Sequence, residues 1–202
     1  MSESIGTTKD QLRPTEYGDT PKGWTTLRLK ELAEDRDDSF VDGPFGSNLK
    51  SSEFVDNGYA RVIQLQNIRA GEFIDTNHKY VTEEKFNELE RHAIYPGDIA
   101  IAKMSEPVAR ACLVPDIEKR YIVVADCIKL AVDKSKAVPE YIMLALNSHP
   151  VWRQAYVRSR GSTRKRINLT QLKEVEIPYP PLSEQRRIAD IVSTVDKQIE
   201  QT

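Results

Sequence analysis

The sequence predicts an α+β domain of several short strands and three or four helices, followed by a C-terminal helix of the coiled-coil-forming kind. Three observations carry this. Strand-like and helix-like apolar runs follow one another irregularly, without the regular βαβ alternation of a doubly wound sheet. The exit Pro178-Tyr179-Pro180-Pro181 cannot continue a helix and separates the body from the tail. Beyond it, Ile188, Ile191, Val192, Val195 and Ile199 fall at spacings of 3, 1, 3 and 4, a seam along one helix face.

Taken in order, residues 1–21 are polar and aperiodic and read as a flexible leader. A body at 22–182 and a spacer or dimerisation helix at 183–202 follow. Trp24, Leu27 and Leu29 anchor a first strand, and Leu32 and Ala33 continue into a helical turn. The run from Asp37 to Leu49 is a loop dense in turn formers. Ile63 and Leu65 alternate with Gln64 and Gln66, the period of a half-buried strand, before a turn at Ala70-Gly71. Thr82 is placed to cap a helix ending near Ala93. Tyr95–Asp98 is a tight turn into the β-run Ile99–Ala102, and 121–125 and 127–132 are further β-runs. Pro139 suits the first turn of one helix, a second includes Trp152 and Tyr156, and Ser183 caps the tail.

Composition narrows the class. The chain has 202 residues, 39% of them apolar and 30% charged, enough for a core of its own. No apolar run approaches the roughly 18 residues of a membrane span, and no secretion signal opens the chain, so a cytoplasmic protein is expected. Cys112 and Cys127 make neither a disulfide framework nor a metal-binding spacing. The net charge of −2 hides an asymmetry: residues 151–175 hold seven Lys/Arg against the single acid Glu174. Such a patch displaces counterions from a phosphate backbone; it is also what a solvated face looks like.

Catalytic patterns are missing. Leu49 stands where a phosphate-binding loop needs glycine before Lys50, and Phe40 replaces the turn glycine of a calcium loop begun by Asp35 and Asp37. His78, His92 and His149 are scattered, so no metal site is expected. Pro115-Asp116 lacks the downstream acid-x-Lys of a metal-dependent nuclease, and Tyr179-Pro180-Pro181-Leu182 is not the base-gripping motif of an adenine methyltransferase. A recognition surface remains. Ser162, Thr163, Arg164, Lys165, Arg166 and Asn168 combine hydroxyls, charges and an amide suited to phosphates and base edges. Gly46, Ser47, Asn48, Lys50, Gln64, Gln66, Asn67, Lys103 and Arg110 are further candidates for DNA contact.

The order of motifs resembles the specificity subunit of type I restriction–modification enzymes. The carriers are Ile177 to Gln185 (Ile-Pro-Tyr-Pro-Pro-Leu-Ser-Glu-Gln), then Ile188-Ala189 and Asp196, with Gly23-Trp24, Gly43-Pro44-Phe45-Gly46-Ser47, Arg61 to Ile68, Gly97-Asp98-Ile99 and Asn168-Leu169 upstream. The match runs over about residues 22–202. The resemblance implies a non-catalytic domain that reads one half of a bipartite double-stranded DNA target. It implies a helix that pairs with a counterpart after a second recognition domain, or with a homodimer partner, through Ile188, Ile191, Val192, Val195 and Ile199. The partners implied are a modification subunit, which carries S-adenosylmethionine and methylates adenine, and a restriction subunit; no cofactor is expected on this chain. Specificity subunits carry two recognition domains in tandem and this chain carries one, so it reads as a half-subunit or a fragment. The alternatives are a stand-alone DNA-cleaving or DNA-modifying enzyme with diverged motifs, and a protein-interaction module whose basic loop meets an acidic partner.

Overall fold

The computed structural model describes residues 12–15 and 18–200, so residues 1–11 and 16–17 of the expected leader and 201–202 of the expected tail helix lie outside it. The described part of the leader departs from expectation. Leu12–Thr15 (β1) and Gly18–Pro21 (β2) pair antiparallel. Backbone pairing needs no apolar side chains, and Arg13 ties the hairpin to the body by donating to the Trp24 carbonyl at 3.1 Å.

Thr25–Arg28 (β3) ends one residue before Leu29, which with Leu32 is fully buried in a 3₁₀ turn. Phe40–Asp42 (β4) and Ala60–Ile63 (β5) follow. The alternation at 63–66 is strand only at Ile63, the last residue of β5. Leu65–Asn67 is a 3₁₀ turn, closed by Asn67 Oδ1 accepting the Gln64 N–H at 2.9 Å. Ile68–Arg69 (β6) and Glu72–Phe73 (β7) form a hairpin about Gly71, whose φ of +82° lies where side chains are strained. Tyr80–Val81 (β8) leads to Glu83–Glu88 (α1), capped as expected by Thr82 Oγ1 accepting from Lys85 N. That helix stops short of Ala93 and tightens into a 3₁₀ turn at Glu90–His92.

Ala93–Ile94 (β9), Ile99–Ala102 (β10), Ala111–Leu113 (β11), Tyr121–Val123 (β12) and Cys127–Leu130 (β13) complete two four-stranded sheets. One is antiparallel in the order β11-β10-β13-β4; the other, β8-β5-β12-β9, contains the parallel pair β5–β12. Side-chain alternation divides the core. Ile99 and Ile101 of β10 face the helices, while Ala100 and Ala102 face Tyr121 and Val123 of the other sheet. Ile122, on the opposite face of β12, meets Val62 and Phe86 of α1. Strands buried on both sides explain the continuous apolar runs.

Pro139–Asn147 (α2), with Pro139 in its first turn as expected, buries Tyr141, Ile142 and Leu146. His149–Arg158 (α3) buries Gln154, whose amide pairs with both backbone groups of Glu176 at 2.9 Å. Leu169–Lys173 (α4) precedes Glu176–Tyr179 (β14), which pairs antiparallel with β3. The tail helix, Leu182–Glu200 (α5), starts before Ser183, so that residue lies in its first turn and is not its cap. Its beginning is fixed to the body: Gln185 is fully buried, Ala189 is buried, and Ile188 packs against the helical core. Ile188 therefore leaves the pairing seam. Ile191, Val195 and Ile199 stay exposed at 53, 47 and 69%, with Val192 half-buried between the two faces. The α+β prediction holds.

Candidate nucleic-acid interface

The last residues of β4 and β10 open into loops that share one cleft of about 570 Å³. Gly43 begins the first loop because nothing larger fits: a Cβ there would sit 1.9 Å from the Val124 carbonyl oxygen. The chain then turns through Pro44 to Asn48, closed by Asn48 N–H donating to Phe45 O at 2.8 Å. This leaves Phe45 at 81% exposure, with Gly46, Ser47, Asn48 and Lys50 exposed after it. Gly46 and Asn48 line the cleft with Lys103 and Arg166, so candidates far apart in sequence meet in one place.

Backbone bonds join the two cationic segments. Lys103 N–H donates to Asp126 O at 2.8 Å and Ile167 N–H to Lys103 O at 3.0 Å. Arg160 and Arg166 exchange both backbone bonds, at 2.9 and 2.8 Å, so residues 161–165 form a projecting tip. Gly161 makes the turn possible: its φ is +106°, and a Cβ would lie 2.4 Å from Arg164 O. On the tip Ser162, Thr163 and Arg164 are exposed. Arg164 makes no ion pair among the described residues, whereas the Lys165 ammonium sits 4.7 Å from the Tyr156 ring centre.

Two of the cleft's cations are ion-paired, while the exposed Arg91, which also lines it, donates to the Asp37 carbonyl at 3.2 Å. Lys103 Nζ lies 2.7 Å from Asp42 Oδ1, and the Arg166 guanidinium binds the Asp126 carboxylate. The Lys103 side chain is 13% exposed; Arg166 and Asp126, at 47 and 36%, can be reached. His92 Nδ1 stands 2.7 Å from the Asp42 carbonyl, and burial pushes its pKa below the ordinary range, so the ring is neutral beside the cleft at pH 7.

Three candidates serve the fold instead. Asn67 is fully buried, and its amide donates to the Ile74 and Thr76 carbonyls at 3.0 and 2.8 Å. Arg110 gives its guanidinium to the carbonyls of Ile68, Leu65 and Met104 at 2.7, 3.0 and 3.2 Å. Asn168 caps α4, its Oδ1 accepting from Gln171 N at 2.8 Å. Gln64 and Gln66 hold each other at 3.2 Å, and Gln66 lines a separate hollow of about 330 Å³ beside Arg110. Sequence reasoning passed over Asp42 and Asp126, because each meets its cation only through the fold.

The remaining titratable groups belong to the core. Burial raises the Cys112 thiol to about 12 and raises Cys127 as well, so neither is a ready nucleophile. Among the described residues no cluster of three His, Cys, Asp or Glu could hold a metal ion, and no helix is long and apolar enough to cross a membrane.

Comparison with known proteins adds the family. Residues 21–202 match the family model described as the type I restriction modification DNA specificity domain. The type I restriction enzyme MjaVIII and MjaIX specificity subunits of Methanocaldococcus jannaschii are 23 and 25% identical, over 93 and 94% of this chain and 43 and 42% of theirs. The chain thus spans less than half the length of these relatives. Among solved structures, the HsdS subunit from Thermoanaerobacter tengcongensis shares the fold at a TM-score of 0.62 and 20% identity, covering 90% of this chain and 44% of that one. A chain from a structural study of type I R-M complex assembly and conformational transition superposes at a TM-score of 0.66 and 19% identity, covering 93% of this chain and 42% of its own.

Proposed function

The chain belongs to the type I restriction modification DNA specificity domain family, and on that premise we propose that it reads one half of a bipartite duplex sequence and does no chemistry on it. One observation supports this above the others: the cleft gathers the Gly46–Asn48 turn, Lys103 and Arg166 beside a projecting tip that carries the unpaired Arg164. Such a surface divides the labour of duplex recognition, with free cations on phosphates and fixed polar groups on base edges.

The methyl transfer belongs to a modification subunit that brings S-adenosylmethionine, and a restriction subunit completes the assembly in the cytoplasm. The exposed stripe Ile191, Val195 and Ile199 pairs with a second recognition unit or a second copy of this chain. Adenine-methylation mapping of cells that express the modification subunit with and without this chain tests the reading. The expected result is a defined methylated motif that appears only with the chain. Methylation without a motif, or a motif indifferent to the chain, refutes it.

A further inference from the structure

Arg164 on the tip and Arg166 at its base differ in one respect that decides what each can bind. Arg164 is exposed and unpaired among the described residues, while Arg166 carries the Asp126 carboxylate on its guanidinium. A carboxylate in contact with the guanidinium repels an incoming phosphate, which brings charge of the same sign. A base edge has no net charge and meets no such penalty. The pair is also held in place: Arg166 exchanges backbone bonds with Arg160, and the Asp126 carbonyl accepts from Lys103 N, while Asp42 occupies Lys103 itself. What the cleft offers is a donor fork with an acceptor beside it, on a fixed frame.

In the major groove, guanine presents two acceptors, O6 and N7, and its cytosine partner presents the N4 donor. Arginine's fork matches the first and a carboxylate accepts from the second. We infer that Arg166 and Asp126 together read one G·C base pair of the target, and that Arg164 contacts phosphate. The inference rests on the proposed DNA-reading function and names the feature that this cleft recognises.

The test uses the chain co-expressed with its modification subunit. It combines methylation mapping with binding of the purified complex to duplexes in which each position of the half-site is changed in turn. In the wild type, one G·C position carries a penalty of roughly 5- to 150-fold when swapped. R166A loses that penalty, and the near-isosteric D126N, whose amide oxygen still accepts but no longer holds the guanidinium by charge, reduces it at the same position. R166A leaves the salt dependence nearly unchanged, whereas D126N steepens it by about one unit, because the freed guanidinium can take a phosphate. R164A flattens the salt dependence by about one unit and leaves the motif intact. The inference is overturned if R166A flattens the salt slope and keeps the motif, or if R166A and D126N relax different positions. It is likewise overturned if D126N, with an unchanged melting temperature, keeps full discrimination. A wild-type complex with no motif at all refutes the functional reading instead.

Discussion

Gln185, on the first turn of the terminal helix, accepts the Val138 N–H at 2.9 Å with Oε1 while its Nε2 donates to Pro180 O at 2.9 Å. One fully buried amide thus joins the tail, the proline exit and the start of α2. Gln185→Ala orphans a buried donor and a buried acceptor, at a cost of about 2–4 kcal/mol. Chemical denaturation should show the fall in midpoint; an unchanged midpoint would mean the tail is not fastened there.

Arg110 presents a different vulnerability. Its guanidinium satisfies the three carbonyls described above, from a half-buried position. Arg110→Ala should lower stability by about 2–3 kcal/mol, and Arg110→Lys should recover only part, since an ammonium cannot span all three. Thermal melts of the two variants decide it. If both melt like the wild type, Arg110 is free for another role.

Asp38 and Lys129 predict a pH effect. Lys129 is completely buried, its ammonium 3.0 Å from Asp38 and 2.6 Å from Ala93 O. Burial pushes the lysine pKa down. At Asp38 burial acts upward, but the hydrogen bond and charge of Lys129, helped by the Arg36 guanidinium at 3.0 Å, outweigh it and hold the carboxyl below its usual value. A depressed carboxyl stabilises the fold above its unfolded pKa, near 4, and that contribution is lost as pH falls through the lower folded value. Asp38→Asn should cost about 3 kcal/mol at pH 7 by stranding a buried cation, and the gap to wild type should close in acid. A gap independent of pH would show that the charge pair is not its source.

The basic tip predicts an uneven salt response. Replacing Arg164, Lys165 and Arg166 together should weaken duplex binding and flatten its salt slope by about one to two units, with Arg164 contributing the largest single share and Arg166 almost none. Filter binding over a salt series measures it. An unchanged slope would remove the tip from the interface.

The exposed stripe separates pairing from folding. Charged substitutions at Ile191, Val195 and Ile199 should leave the melting temperature of the body within about 2 °C, since these side chains cover no core of their own. They should abolish self-association or capture of a second recognition unit in sedimentation velocity. Continued association would place the contact elsewhere.

How far the sequence could be read follows from how local each signal is. Thr82, Pro139 and Gly71 act through their own turn, and each does what its position predicts. Asn67 defeats such reading. An amide beside Gln64 and Gln66 looks like an exposed edge, yet the fold brings the Ile74 and Thr76 carbonyls to it and withdraws it from solvent. Arg110 and Asn168 resist local reading for the same reason, since a donor or acceptor that suits a base edge also suits the carbonyls and the helix end they bond in the fold. Asp126 was missed because its partner lies 40 residues on, and no periodicity records a meeting of two loops.

The fastening of Gln185, Ile188 and Ala189 gives the remainder of α5 a fixed heading and a fixed rotational phase. One residue inserted after Ala189 would turn the stripe by about 100° while advancing it only 1.5 Å. Four inserted residues would return it to within about 40° of its first bearing, some 6 Å farther out. The helix just beyond Ala189 should therefore tolerate insertions in near-whole turns and reject others, so that evolution or an engineer could alter reach in steps without re-aiming the contact.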